Sequence, residues 1–82
     1  MVMTYQVRLM PEAAKDLRRL DKPVAQRIVN KLKWLSQNFD NIMPEPLTGE
    51  FKTLYKLRAG SYRALYTANR DKRVLVVHVI GD

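Results

Sequence analysis

The amino-terminal third of the chain shows two hydrophobic patterns, one after the other. Tyr5, Val7 and Leu9 alternate with polar residues over 4–9, which predicts a half-buried strand. Pro11 then opens a helical pattern, since its missing N–H costs nothing in the first turn of a helix. The chain therefore begins with a strand and a short helix of about three turns.

A second helix is predicted from the N-cap Asp21 to about Asn38, with Pro23 in its first turn. We expect Trp34 to pack in the core or between helices, with a contact to a partner protein as the alternative. The face opposite the apolar stripe carries lysine and arginine, and we expect it to be solvated. The stripe falls at helical spacing and consists of Val24, Ile28, Leu32, Leu35 and Phe39.

Three strands are predicted after an irregular connection, rich in Pro and Asn, over residues 40–50. They cover 52–58, 62–68 and 73–80, and are joined by an Ala-Gly turn and a polar turn. The last strand is apolar on both faces, as expected of an interior strand. The order β-α-α-β-β-β predicts an α+β fold, with a twisted, mainly antiparallel four-stranded sheet packed on a helical hairpin.

Size and composition narrow the functional classes. The 82 residues predict one domain over 1–82, and the absence of cysteine excludes a disulfide framework, a thiolate nucleophile and a cysteine-based zinc site. With one histidine and no long apolar run, we expect no metal, no small-molecule cofactor, no membrane segment and a cytoplasmic location. The net charge of +7 favours a polyanionic partner, or the chain is simply a basic soluble domain.

The hairpin over residues 54–66 combines apolar runs with cations. If Gly60 completes an Ala-Gly loop, Lys56 faces Arg63 and Arg58 faces Ser61 on one side of the sheet. Like charges in direct opposition are unfavourable, so a bound anion would explain them; the alternative is that these side chains extend into water. The other side of the hairpin is predicted to carry Tyr55, Leu57, Tyr62, Ala64 and Tyr66.

The segment LTGEFKTLYKLRAGSYRALY, followed by a polar turn and RVLVVHVIGD, resembles the RelE/ParE superfamily of bacterial toxins from toxin-antitoxin systems. Members share a Leu-x-Gly element, an lRxGxYRxxY hairpin and a final apolar strand ending in glycine. The resemblance spans nearly the whole chain, and the hairpin is its most specific part. It implies the RelE/ParE-like fold described above.

For the RelE branch, the resemblance implies an endoribonuclease that cuts mRNA in the ribosomal A site, without a metal, by driving a ribose 2′-hydroxyl against the adjacent phosphate. Lys56 matches the catalytic lysine, and neighbouring arginines would help its ammonium to release a proton. Arg63 matches the phosphate-binding arginine, with Arg58, Lys52 and Ser61 as further candidates for RNA or phosphate contacts. His78 is a weaker candidate, because a histidine in an apolar strand is more often packed and hydrogen-bonded.

The chain departs from the RelE pattern at three places. Leu54 replaces a second lysine found in some RelE toxins, and Thr48 replaces an arginine found in others. The sequence ends at Asp82, before the basic pair and tyrosine that usually follow the last strand. These departures predict a weakened or inactive toxin, whether the form is naturally short, attenuated or a truncated piece.

The resemblance also implies partners. An acidic antitoxin would suit the basic surface, and the RelE reading requires ribosomes and mRNA. One alternative is a ParE-like protein that inhibits DNA gyrase by binding, with no chemistry of its own. Another is a non-catalytic module that only binds an antitoxin.

Overall fold

The structure is a computed structural model that describes residues 4–47 and 53–82. The predicted α+β class is confirmed, and the predicted elements occur in the predicted order with one additional strand before the hairpin. Thr48, Lys52 and the start of the strand predicted over 52–58 lie outside the described residues. The elements are β1 (Gln6–Leu9), α1 (Pro11–Arg18), α2 (Lys22–Asn38), a 3-10 turn (Phe39–Asn41), β2 (Glu45–Pro46), β3 (Tyr55–Ala59), β4 (Tyr62–Asn69) and β5 (Val74–Gly81).

The described strands form one mixed sheet in the order β1-β5-β4-β3-β2. β5 lies in the interior as predicted, parallel to β1 and antiparallel to β4. The sheet has five strands rather than four, because Glu45 and Pro46 pair with Lys56 and Tyr55 inside the stretch that the sequence indicates as irregular. Proline is compatible with this position, since β2 is an edge strand and needs no N–H there.

The helices cover one face of the sheet. The predicted stripe of α2 is confirmed, with Ile28, Leu32 and Leu35 buried and Phe39 following them into the core. Trp34 is 41% exposed, so its predicted place in the core is wrong. At about 100° per residue, Trp34 points well away from the stripe that Leu32 and Leu35 share.

The opposite face of the sheet carries no helix among the described residues, and we call it the outer face. A register shift between Leu65 and Tyr66 leaves His78 as the extra residue of a β-bulge, which lets Val77 and Ile80 both reach the core. The outer face consists, by strand alternation and with the bulge residue His78 included, of Gln6, Arg8, Val74, Val76, His78, Val79, Arg63, Leu65, Thr67, Lys56, Arg58 and Glu45.

A polar cluster joins the start of the described chain to two distant turns. The Tyr5 hydroxyl donates to Asp40 at 2.8 Å, and Arg73 forms a 3.0 Å ion pair with the same carboxylate. The Arg73 guanidinium also lies 4.3 Å from the centre of the Tyr5 ring. The hydrogen bond from Tyr5, with Arg73 beside it, holds the pKa of Asp40 below its usual value. The cluster therefore ties β1 to the 3-10 turn and to the turn between β4 and β5.

Candidate functional site

The turn of the β3–β4 hairpin sets the arrangement of the candidate site. Ala59 pairs with Tyr62, so the two loop residues are Gly60 and Ser61 rather than the predicted Ala59 and Gly60. Gly60 has φ 65°, in the left-handed region that glycine adopts without strain. A two-residue loop with positive φ at its first position takes glycine there, which explains why Gly60 opens the loop instead of closing it.

This turn corrects the predicted register. Lys56 lies opposite Leu65, not Arg63, and Arg58 lies opposite Arg63, not Ser61. Each partner has moved by two residues, and a shift of two leaves every side chain on its predicted face of the sheet. Lys56, Arg58 and Arg63 therefore share the outer face, and Ser61 lies in the loop.

Arg58 and Arg63 form the like-charged pair of this surface. Both side chains are exposed, and they stand directly opposite one another on adjacent strands. Lys56 lies two residues before Arg58, so it is diagonal to Arg63. Diagonal neighbours lie about 7–8 Å apart, within reach of long side chains. Three cations are thus gathered around one position of the outer face.

Glu45 is the residue that the sequence analysis missed. It is the cross-strand neighbour of Lys56, and its Oε1 lies 3.2 Å from the Lys56 Nζ. The Lys56 side chain is only 16% exposed, whereas that of Glu45 is 55% exposed. The carboxylate and the ammonium therefore form an ion pair across β2 and β3, which the sequence analysis did not predict. The only signal in the sequence was an acidic residue between two prolines, which says nothing about its partner.

The paired strands arrange these groups in rows. Glu45, Lys56 and Leu65 follow one another across β2, β3 and β4, and Arg58 and Arg63 form the adjacent row. An exposed carboxylate can accept a proton, while an ammonium and two guanidinium groups can bind phosphate oxygens. The surface therefore combines one proton acceptor with three cationic donors to an anion.

His78 lies farther along the outer face. Its Nε2 is 3.0 Å from the Thr67 Oγ1, which confirms the prediction of a hydrogen-bonded histidine. β5 is separated from β3 by β4, so His78 lies about 10 Å from the strand that carries Lys56. We therefore leave His78 outside the candidate site. Lys52, the remaining predicted contact, lies outside the described residues.

A groove of about 280 Å³ runs from the site toward α2. Its walls include Glu45, Lys56 and Arg58 on the strand side and Lys31 and Trp34 on the helix side. An adjoining cleft of about 360 Å³ shares Lys31, Trp34 and Arg58. The candidate site is thus continuous with a larger concave surface beside α2.

The chain and its fold have clear counterparts among known proteins. Residues 7–81 match the family described as "ParE toxin of type II toxin-antitoxin system, parDE". The chain belongs to the RelE/ParE superfamily of toxins. It is 33% identical over 81 residues to an Escherichia coli protein named putative RelE-like toxin protein, covering 96% of this chain and 83% of that one.

Solved structures of RelE proteins show the same fold. A chain of the Mycobacterium tuberculosis toxin-antitoxin complex RelBE2 superposes with a TM-score of 0.86 and 25% identity, covering 98% of this chain and 92% of that one. The isolated Escherichia coli RelE toxin superposes with a TM-score of 0.75 and 28% identity, covering 95% and 83%. This toxin therefore has the predicted fold and superfamily. No helix in the described parts of the chain has the length and apolar character needed to cross a membrane.

Proposed function

We propose that this toxin is a ribosome-dependent endoribonuclease that cuts mRNA by attack of a ribose 2′-hydroxyl on the adjacent phosphate, with an activity weakened by Thr48 and Leu54. The observation that carries the proposal is the Glu45–Lys56 pair, which stands beside Arg58 and Arg63 on the outer face. This reaction needs a base for the 2′ proton and cations for the charge that grows on the phosphate. The surface supplies both.

We assign the base to Glu45 instead of Lys56. The Glu45 carboxylate is 55% exposed and is a proton acceptor, whereas the Lys56 ammonium is a donor that the ion pair with Glu45 holds in place. In the proposed reaction Glu45 takes the 2′ proton while the 2′ oxygen bonds to phosphorus. The bond from phosphorus to the 5′ oxygen breaks, and the 5′ oxygen takes a proton from Lys56 or from water.

Lys56, Arg58 and Arg63 then have an electrostatic role. Guanidinium groups stay charged at any relevant pH and bind phosphate oxygens in a forked geometry. Donors fixed in advance around the phosphate stabilise the transition state more than the substrate, because the negative charge is greater there. The unfavourable opposition of Arg58 and Arg63 is thereby explained as a phosphate-binding arrangement.

The proposed partners are an antitoxin, the ribosome and mRNA. The Mycobacterium tuberculosis relative is a toxin-antitoxin complex, and a net charge of +7 suits an acidic antitoxin. Ribosomes would hold the message in position on the outer face. This function would be exercised in the cytoplasm, where translation takes place.

The test is to add the protein to translating ribosomes programmed with a defined message and to map the cuts by primer extension. We expect cuts at fixed codon positions, which Glu45→Gln and Arg63→Ala should abolish. Arg8→Ala is the matched control, because it removes a cation from the same face on the distant strand β1. Cuts that persist in both site variants would contradict the proposal.

A ParE-like function is the second candidate. It is supported by the family match, whose description names ParE toxins. A gyrase inhibitor that acts by binding would cause gyrase-linked DNA breaks and leave the message intact in the ribosome assay. A protein that binds its antitoxin tightly and does neither would be a binding module only.

A further inference from the structure

The exposed face of α2 carries an aromatic ring between cations. Arg27, Lys31 and Trp34 stand at positions i, i+4 and i+7, so they form one stripe along the helix. This stripe points away from the core, and the mechanism proposed above makes no use of it. Over seven residues of helix it extends for about 10 Å.

The stripe forms one wall of the groove that begins at the candidate site. Lys31, Trp34 and Arg58 line both the groove and the adjoining cleft, and Glu45 and Lys56 lie at the end nearest the site. A ligand phosphate held by Lys56 and Arg58 would therefore place the next part of the same ligand beside Trp34. The groove and the candidate site are one continuous surface.

The charges of this surface indicate which class of ligand it can bind. Among the described residues that line it, Arg27, Lys31, Lys56 and Arg58 are cationic, and Glu45 is the one acid. Glu45 is already paired with Lys56, so the remaining surface is positive along its whole length. A polyanion can form ion pairs with such a surface along its whole length.

The ring of Trp34 indicates that the ligand also has a flat group that can stack on it. The Lys31 Nζ lies 4.5 Å from the centre of the ring, and 41% of the residue is exposed to solvent. An exposed aromatic ring in a cationic groove is the combination with which proteins bind single-stranded nucleic acids, since each base can stack on the ring. Phosphate binding alone would need no aromatic ring there.

We propose that Trp34 is a stacking platform for the base of an RNA nucleotide next to the phosphate that is cut. Lys31 and Arg58 would bind the phosphates on either side of that base. The identity of the ligand as RNA rests on the proposed endonuclease function. Trp34 is then a binding residue of the site, placed on a helix rather than on the hairpin that carries the reacting groups.

The first test uses the emission of Trp34, the single tryptophan of the chain. The probe is a single-stranded hexanucleotide with 2′-O-methyl groups, which lacks the attacking hydroxyl and stays intact. We expect saturable quenching of Trp34 emission by this oligonucleotide, and none by inorganic polyphosphate at the same phosphate concentration. Equal responses to both, or binding without a change in emission, would overturn the proposal.

The second test compares variants by the anisotropy of a labelled copy of the same oligonucleotide. Trp34→Leu should weaken binding between about 5-fold and 150-fold, the range expected for the loss of one stacked base. Trp34→Phe should retain most of the affinity, since a ring remains. Met10→Ala is the control and should leave the affinity unchanged, because Met10 is a 43% exposed apolar residue that lines neither the groove nor the adjoining cleft. Trp34→Leu with the affinity of the unaltered protein would overturn the proposal.

The ribosome assay separates this inference from the proposed function. If the unaltered protein and Trp34→Leu cut a programmed message at equal rates, the function stands and the stacking platform is wrong. If the unaltered protein binds the oligonucleotide through Trp34 and cuts no message, the platform stands as an RNA-binding residue and the endonuclease function is wrong. Quenching by an acidic antitoxin segment, with none by the oligonucleotide, would assign the groove to a protein partner and overturn the inference.

Discussion

The two faces of the sheet differ in what covers them. On the inner face, Leu75 and Val77 are fully buried beneath the helices, and burial raises the pKa of the Tyr66 phenol to about 12. On the outer face, Arg58 and Arg63 are exposed in direct opposition, and Val79 is 45% exposed. The inner face therefore stabilises the fold, whereas the outer face retains an unfavourable pair of like charges, which we propose to be an anion-binding site.

The largest expected effect is the loss of stability caused by a cavity on the inner face of the sheet. Leu35 is fully buried, so Leu35→Ala should lower the free energy of unfolding by about 2–5 kcal/mol. The measurement is urea denaturation followed by circular dichroism. Val79→Ala on the outer face is the matched control and should cost less than about 1 kcal/mol, because a half-exposed side chain leaves no cavity. Equal losses would contradict the division between the faces.

The next effect concerns the turn that brings the outer-face cations together. Gly60→Ala should lower the free energy of unfolding by about 1–2 kcal/mol, because an L-residue is strained at φ 65°. The added Cβ would meet the Arg27 Nη1 at 3.5 Å, an ordinary contact, so backbone strain and not a clash is the cause. Ser61→Ala in the same loop should leave stability nearly unchanged. A Gly60→Ala protein as stable as the unaltered one would show that the hairpin does not need the left-handed residue.

The third effect is a smaller change in stability and has the opposite sign, because it removes a repulsion on the outer face. Arg58→Gln should raise the free energy of unfolding by about 0.2–1 kcal/mol, since it removes the like charge opposite Arg63. The same change should weaken oligonucleotide binding, so stability and function should move in opposite directions. Arg8→Gln on β1 is the control and should change neither. A loss of stability in Arg58→Gln would contradict the idea that the arginine pair is unfavourable in the free protein.

The smallest effect concerns the polar cluster at Asp40. Its pKa is lowered in the folded state, first by the hydrogen bond from Tyr5, so its contribution to stability is present above the ordinary aspartate pKa and is lost as pH falls through the folded value. Asp40→Asn should therefore lower the melting temperature near neutral pH, and the difference from the unaltered protein should shrink near about pH 3. A difference that is the same at both pH values would contradict this assignment.

The sequence predicts the inner face of this molecule much better than the outer one. The stripe of α2 follows from helical spacing, and the faces of the hairpin follow from alternation, which survives a register change of two residues. The register itself depended on whether Gly60 opens or closes the loop, and composition does not decide that. The pairing of Glu45 with Lys56 depends on a two-residue edge strand that has no periodicity of its own. The apolar character of Trp34 favours the core, but its angle on the helix points the ring away from the buried stripe.

The most direct test of the central claim is the rate at which Glu45→Gln cuts a ribosome-bound message, measured beside its melting temperature. Loss of the base should lower the rate by about 100-fold to 10,000-fold. The stability cost should stay below about 1 kcal/mol, because Glu45 is 55% exposed on an edge strand and a glutamine there can still accept a hydrogen bond from the Lys56 ammonium. A folded Glu45→Gln protein that cuts the message at the rate of the unaltered toxin would contradict the account.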